Sequence, residues 1–202
     1  MQKTEYAAWK RLLFSETLVS KNTNHKIAYI AMTTALVVIV NMFFEFKLAE
    51  TQFSLTLAVS ALAGIVIGPL FGFVACFLGD LVGFLYNSYG YAYLPWIGIS
   101  LGLTAAIAGL IVGGIKTSSR GGLYGKLGLV SVLTFAVCTV GVNTTAFWLL
   151  YAPQLNFWTY FVSRIFVQGQ IFNSLFNYAV LFIATPALER LKILNGKIKP
   201  TK

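Results

Sequence analysis

The chain has 202 residues, of which 57% are hydrophobic and only 10% are charged, and its mean hydropathy is +0.76. This composition excludes an ordinary soluble domain, and the length suits one compact bundle without a sizeable domain outside a membrane. The formal net charge of +9 would suggest nucleic-acid binding in a soluble protein. Here the Lys and Arg residues flank long apolar runs, where anionic lipid attracts them, so nucleic-acid binding is not expected.

Six apolar runs predict an all-α integral membrane protein, a bundle of six transmembrane helices. Residues 1–26 are polar and lack the features of a signal peptide, so they are expected to form a cytoplasmic or interfacial segment, with Tyr6 to Leu18 as a candidate interfacial helix. Residues 27–188 form the predicted transmembrane substrate-binding domain, and residues 189–202 a basic cytoplasmic tail. The predicted spans are about Ile27–Phe44, Phe53–Ile67, Leu70–Tyr86, Leu94–Ile115, Leu127–Ala152 and Arg164–Leu188.

The distribution of basic residues predicts the orientation of these spans. If the N-terminus is cytoplasmic, six spans return the C-terminus to the same side, and 13 of the 15 Lys and Arg residues then lie in the cytoplasm. Only Lys47 and Arg164 lie outside. Membrane proteins carry an excess of basic residues on the cytoplasmic side, so both termini are predicted to be cytoplasmic.

With this orientation, polar side chains from separate helices reach the outer half of the membrane. Ionisable groups such as Asp80 and Arg164 cost about 2.5–3.5 kcal/mol inside a bilayer on insertion scales, so they normally face a cavity or a partner. For Asp80 a structural ion pair or helix cap is an alternative to substrate binding, and for Arg164 the alternative is snorkelling to the interface. The amides of Asn143, Gln170 and Asn173 are candidate ligand contacts, with hydrogen bonds between helices as the alternative.

Aromatic residues are concentrated in the predicted outer loops, where Tyr93 and Trp96 stand close together. A belt of aromatic residues at the headgroups explains many of them. A belt should serve both membrane faces, however, and the predicted inner face has fewer. The excess outside favours loops that fold over a bound planar or semi-polar small molecule.

Small residues indicate where helices approach each other closely. Ala28, Ala31 and Ala35 form one stripe along the first predicted helix, and Ala31-x-x-x-Ala35 is a motif that permits close backbone approach. The partner of this stripe is either another helix of the chain or another subunit.

The sequence contains no recognisable motif for catalysis, for a metal site or for a nucleotide cofactor. The glycine-rich segment 109–117 misses the phosphate-binding pattern because one residue separates its last glycine from Lys116. Neither a metal-binding helix nor a nucleophile elbow is present in the sequence. We therefore expect no enzyme activity and no cofactor, and any uphill transport must draw its energy from a partner.

Several short motifs occur in a characteristic order. Beside the Ala31-x-x-x-Ala35 motif stand a Gly-Pro turn at 68–72 (GPLFG), an aspartate between glycines at 79–83 (GDLVG) and the opening of the fourth helix at 93–96 (YLPW). With six short-looped helices and basic termini, they make residues 27–190 resemble the substrate-binding S components of energy-coupling factor (ECF) vitamin transporters.

This resemblance implies that the chain binds a water-soluble vitamin near the outer face of a prokaryotic cell membrane. It also implies docking on a transmembrane coupling subunit that is driven by two cytosolic ATPases. Ala31 and Ala35, with Ala28 on the same stripe, would face the coupling subunit. The expected substrate-binding residues are Lys47, Asp80, Tyr93, Trp96, Asn143, Arg164, Gln170 and Asn173.

Pantothenate is the first choice of vitamin, because Lys47 and Arg164 could balance its carboxylate and the outer amides could bind its hydroxyl and amide groups. Folate and cobalamin follow. Pro95-Trp96 stands where folate-type members usually have Pro-Gly, and cobalamin would need a far larger, charge-poor cavity. A self-sufficient ion-coupled carrier, with Asp80 as its cation site, is the alternative from a different class.

Overall fold

A computed structural model describes residues 14–19, 21–48, 51–86, 92–114 and 119–190. The described chain is almost entirely helical, with one short hairpin near its start. In chain order the elements are α1 Glu16–Val19, α2 Thr23–Phe43, β1 Glu45–Leu48, β2 Thr51–Ser54, α3 Thr56–Ile67, α4 Pro69–Tyr86, α5 Pro95–Gly114, α6 Arg120–Thr134, the π-helical segment π1 Phe135–Thr144, α7 Thr145–Tyr151, α8 Phe157–Val162, the π-helical segment π2 Ser163–Val167 and α9 Gln170–Arg190.

Four helices within the described residues are long and apolar enough to cross a membrane. They are Thr23–Phe43, Pro69–Tyr86, Pro95–Gly114 and the continuous helix Gly121–Tyr151, which joins most of α6 to π1 and α7. Helix α3 is also apolar but has only 12 residues. Because a straight crossing takes about 20 residues, α3 is short for a complete span.

Helices α2 and α4 run parallel, since Val37 lies against Gly79 and Asn41 against Gly83, one turn further along both helices. Helix α3, which connects them in the chain, runs in the opposite direction. These two glycines allow the close approach, because a Cβ at Gly83 would lie 2.7 Å from the Asn41 Cβ.

Helix α5 runs antiparallel to the long helix that follows it. Lys126 donates to the Val112 carbonyl near the start of α6, and Asn143 donates to Ser100 much later in the long helix. One end of the bundle therefore holds the last turns of α2, α4 and α7 together with the first turns of α3, α5 and α9. We call it the site end.

The centre of the bundle is a three-helix crossing built on glycines. Gly64 of α3 lies against Gly72 of α4 and against Ala105 and Gly109 of α5; a Cβ on Gly72 would be 2.7 Å from the Gly64 Cα, and one on Gly109 would be 2.7 Å from the Gly64 carbonyl oxygen. Such contacts let helix backbones pack without intervening side chains.

Replacing Gly64 with Ala is expected to destabilise this crossing strongly, because the new Cβ would overlap the backbone carbonyl of Ala105. Overpacking a well-packed interior costs about 1–3 kcal/mol or more. The expected result is a clearly lower Tm of the detergent-purified protein. Gly125→Ala is the matched control, since its Cβ would meet nothing within 4 Å. Equal melting temperatures for the two variants would contradict the packing described.

The described chain is all-helical as predicted apart from this hairpin, which changes the predicted start of the second helix. Helix two was expected from Phe53, but strands β1 and β2 pair antiparallel, with Phe46 opposite Phe53, and α3 begins only at Thr56. The apolar run that starts at Phe53 hides this boundary. The polar residues Thr51, Gln52 and Ser54 are the local sign of a strand rather than a membrane helix.

The fifth and sixth helices also begin elsewhere than predicted. The fifth starts at Arg120 rather than Leu127, because Ser119 caps it by accepting a hydrogen bond from the Gly122 backbone N–H at 3.1 Å. The predicted sixth helix is broken near its start. Gly169 has a positive φ of 72°, so α9 begins at Gln170, and Arg164 lies in the separate segment π2 before the break.

At the opposite end, the N-terminal segment packs on protein. The Ser15 hydroxyl donates to the Val66 carbonyl at 2.6 Å, Phe14 stacks on Phe71, and Leu18 is fully buried. Of the predicted interfacial helix Tyr6 to Leu18, only this last part lies within the described residues. There Phe14 and Ser15 contact the start of α4 and the end of α3.

Candidate functional site

The site end contains a cluster of aromatic and polar side chains around the ring of Phe147. The Trp96 ring lies edge-on to it at 6.0 Å between centroids, and the Arg164 guanidinium carbon lies 4.0 Å from its centroid. Tyr151 stacks on the same ring at 5.7 Å. Helix α5, helix α7 and segment π2 thus each contribute a side chain. A guanidinium this close to an aromatic face is held by a cation–π interaction.

A hydrogen-bonded chain joins the same helices one turn deeper. Asn143 precedes Phe147 by four residues, and its Nδ2 donates to the Ser100 hydroxyl at 3.0 Å. Ser100 follows Trp96 by four residues on α5 and donates to the Cys138 carbonyl at 3.3 Å. Ser100 therefore fixes which way the Asn143 amide points.

Three polar atoms of this group are buried without a hydrogen-bond partner among the described residues. They are Nε1 of Trp96, Oδ1 of Asn143 and Nε of Arg164. Buried polar atoms are normally paired, because leaving one unpaired costs about 1–3 kcal/mol. We define the Phe147 cluster as Trp96, Ser100, Asn143, Phe147 and Arg164. It offers two donors and one acceptor beside aromatic walls.

Both π-helical segments carry a member of this cluster. Asn143 lies in π1, where the Thr144 hydroxyl donates to the Thr139 carbonyl five residues back, and Arg164 lies in π2. A π-helical turn holds more residues than an α-helical turn, so it rotates the faces of the helix around it. Such segments are frequent at functional sites.

Asp80 and Tyr93 form a second polar pair at the site end, on the side of α5 that faces α4. The Tyr93 hydroxyl donates to Oδ2 of Asp80 at 3.0 Å, and Gly98 leaves room for both groups. Burial, and then the charge of Asp80, raise the pKa of Tyr93 well above its usual value. The phenol therefore stays protonated and remains a donor to the carboxylate.

The other predicted contacts lie elsewhere at this end. Asn173 is buried, and its Oδ1 accepts a hydrogen bond from the Ser54 backbone N–H at 3.0 Å. Gln170 is the first residue of α9 and is half-buried. Lys47 pairs with Gln52 in the hairpin, and its side chain lies outside the described part of the structure.

Comparison with known proteins identifies the family. A family model described as "ECF-type riboflavin transporter, S component" matches residues 21–193. The chain belongs to the ECF S components. A solved structure of FolT bound with folic acid is similar to it, with a TM-score of 0.62 and 21% sequence identity, over 89% of this chain and 100% of that one. At this identity the likeness shows the fold alone.

Family membership confirms the resemblance inferred from the sequence. S components bind vitamin substrates and work with ECF modules, so this S component is a substrate-binding membrane subunit and not an enzyme. Its apolar helices agree with a place in a membrane.

The alanine stripe of this S component is exposed on the surface. Ala28, Ala31 and Ala35 are all solvent-accessible in the isolated chain, whereas Val37 and Val40 of the same helix are buried against the bundle. The stripe therefore does not pack against another described helix of the chain. Among the described residues, the stripe is left open to lipid or to another subunit.

Sequence reasoning missed Ser100 and Phe147. Both could have been found from helical spacing, because each follows a predicted residue, Trp96 or Asn143, by four positions and so shares its face. Their residue types alone do not indicate a binding site. A serine and a phenylalanine in apolar helices are ordinary packing residues.

Proposed function

We propose that this S component binds a flavin-type vitamin, with riboflavin as the first candidate, and passes it to an ECF module for ATP-driven import. The observation that carries the proposal is the trio of unpartnered atoms in the Phe147 cluster. The description of the matching family model supports the same vitamin.

The chemistry of a flavin suits this cluster. Its pyrimidine edge presents two carbonyl acceptors and one N–H donor, and the cluster presents two donors, on Trp96 and Arg164, and one acceptor, on Asn143. Its flat ring system also suits the aromatic side chains of Phe147 and Tyr151, since stacked and edge-on rings attract each other.

Pantothenate, the vitamin ranked first from sequence, fits this arrangement less well. It has no planar ring to pack against Phe147, and its carboxylate would need Arg164 and Lys47 together. Folate has a planar pterin but also a glutamate tail, and cobalamin is far larger. These three remain the comparison ligands for the binding test.

A self-sufficient carrier that uses Asp80 as a cation site is not favoured. The chain belongs to a family that works with ECF modules, and the Asp80 carboxylate accepts a hydrogen bond from the Tyr93 hydroxyl. We assign this pair to shaping the turn into α5 beside the vitamin. Uptake by the S component alone that collapses with the proton gradient would contradict this assignment.

The direction of the helices supports a proposal for the membrane topology. We propose six crossings of a prokaryotic cell membrane with both termini in the cytoplasm, so that the site end faces outward. Support comes from the alternation of helix direction and from the basic residues Lys21, Lys26 and Lys126 at the end opposite the site. Charge asymmetry of this kind orients membrane proteins.

The binding test is a titration of the purified protein with riboflavin, pantothenate, folate and cobalamin. Trp96→Phe keeps an aromatic ring but removes the Nε1 donor, so we expect riboflavin affinity to fall about two- to tenfold, the cost of one neutral hydrogen bond. Trp158→Phe is the control, because Trp158 is 68% exposed. The assignment to flavins would be overturned if the protein bound another vitamin tightly and not riboflavin, or if it bound none of the four.

A further inference from the structure

Helix α3 receives its N-terminal cap from a different helix. Its own N-cap residue is Leu55, which has no side-chain oxygen, and no side-chain cap forms there. Instead Oδ1 of Asn177, in α9, accepts the backbone N–H of Ala58, the third residue of α3, at 2.9 Å. The first N–H groups of a helix need such an acceptor, and inside a membrane the need is greater because water is absent.

The same two turns of α9 also hold the end of the hairpin. Asn173 Oδ1 accepts the Ser54 backbone N–H at 3.0 Å, and Asn177 Nδ2 donates to the Ser54 carbonyl at 2.6 Å. Asn177 Nδ2 further contacts the Asn173 carbonyl at 2.8 Å and the Asn173 Oδ1 at 3.2 Å. We call Asn173 and Asn177 the asparagine clamp; Asn177 has no exposed surface.

The position of the clamp connects two parts of the site end. On one side is strand β2, which ends at Ser54 and pairs with the strand that carries Lys47. On the other side is α9, which begins directly after the Gly169 break that follows Arg164. Ser54 lies at the open end of the hairpin, where its backbone N–H and carbonyl bond to Asn173 and Asn177.

We propose that the asparagine clamp is a positioning element for vitamin binding: it ties the end of the hairpin and the first turn of α3 to the first turns of α9, and so holds these parts of the site end in place. The proposal rests on the proposed function, because it assigns the clamp to the same site end. Asn173 thereby changes from an expected substrate contact to a residue that acts through the hairpin.

The geometry predicts an asymmetry between two aspartate substitutions. Asn173→Asp keeps the oxygen that accepts from Ser54 and Asn177, and its charge would lie in the first turn of α9 and near the start of α3, where helix dipoles favour a negative group. Asn177→Asp replaces a donor by an oxygen that faces three acceptors, so it should open the clamp. Asn173→Leu should open it as well.

The experiment measures amide hydrogen exchange of the hairpin and the riboflavin dissociation rate on the full-length protein. For Asn177→Asp and Asn173→Leu we expect exchange around Ser54 and Ala58, and the dissociation rate, to rise by about fivefold or more, as for the loss of one or two hydrogen bonds. Asn173→Asp keeps the accepting oxygen, so both quantities should rise less than in Asn173→Leu. Thr185→Val is the control, since Thr185 is a buried α9 residue that bonds only to Leu181 of its own helix among the described residues.

Faster exchange with an unchanged dissociation rate would overturn the positioning role and leave a structural cap. Unchanged exchange in Asn177→Asp, or equal effects of Asn173→Asp and Asn173→Leu, would overturn the clamp itself. If the wild type binds no flavin, the proposed substrate fails; the dissociation rate is then measured with the vitamin of the panel that binds. If the wild type binds none of the four vitamins, the proposed function and the positioning role fail together, and the exchange data alone decide the clamp.

Discussion

Replacing Arg164 with alanine is expected to weaken riboflavin binding by about 10- to 100-fold. The guanidinium lies 4.0 Å from the Phe147 centroid, and its Nε is buried without a partner among the described residues. A hydrogen bond from a charged donor contributes about 1.5–3 kcal/mol, and every 1.4 kcal/mol changes the dissociation constant tenfold. Titration calorimetry on the purified variant measures the change directly.

Two further variants test whether Arg164 binds riboflavin through its specific hydrogen bond or only through its positive charge. Arg164→Lys keeps the positive charge but loses the planar group and the Nε donor, so its affinity should fall between those of wild type and Arg164→Ala. Lys26→Ala removes a cation that also lies over a ring, that of Phe14 at 5.1 Å, but at the opposite end of the bundle. It should bind riboflavin normally. A loss of affinity that tracks a lower Tm in all three variants would point to stability and not to recognition.

The helices could be read from the sequence because hydrophobic length is a strong signal. The Gly68-Pro69 boundary was predicted correctly, since proline cannot continue the preceding helix and Gly68 adopts a φ of 107° that favours glycine. The hairpin was not predicted, because four-residue strands beside an apolar run carry little pattern. The π-helical segments were not predicted either, because a hydrophobic run does not distinguish a π-helical turn from an α-helical one.

The site could be predicted in part. Trp96, Asn143 and Arg164 were predicted as substrate contacts from their residue types and their expected depth in the membrane. The structure places all three in one cluster. Tertiary contacts decide the rest: the pairing of Asp80 with Tyr93 across a loop depends on how α4 meets α5. The use of Asn173 by the Ser54 backbone depends on the unpredicted hairpin.

Replacing Ala31 or Ala35 with leucine is expected to abolish most vitamin uptake while leaving binding intact. Both alanines are exposed on α2, which packs on the bundle through its other face at Val37 and Val40. A coupling subunit that docks closely on this stripe would meet the added side chains. Overpacking costs about 1–3 kcal/mol, which lowers complex formation by about 5- to 150-fold. Uptake by the assembled transporter and riboflavin titration of the isolated protein measure the two effects.

The matched control is Ala179→Leu, which adds the same volume at an exposed alanine of α9. If the stripe is the docking surface, uptake should fall for the α2 variants and persist for the control. Because the alanines of the stripe are exposed, riboflavin affinity should stay within about twofold of wild type, the range of neutral surface changes. Uptake that persists in Ala31→Leu and Ala35→Leu would mean that the stripe faces lipid. The coupling subunit would then have to dock on another surface of the bundle.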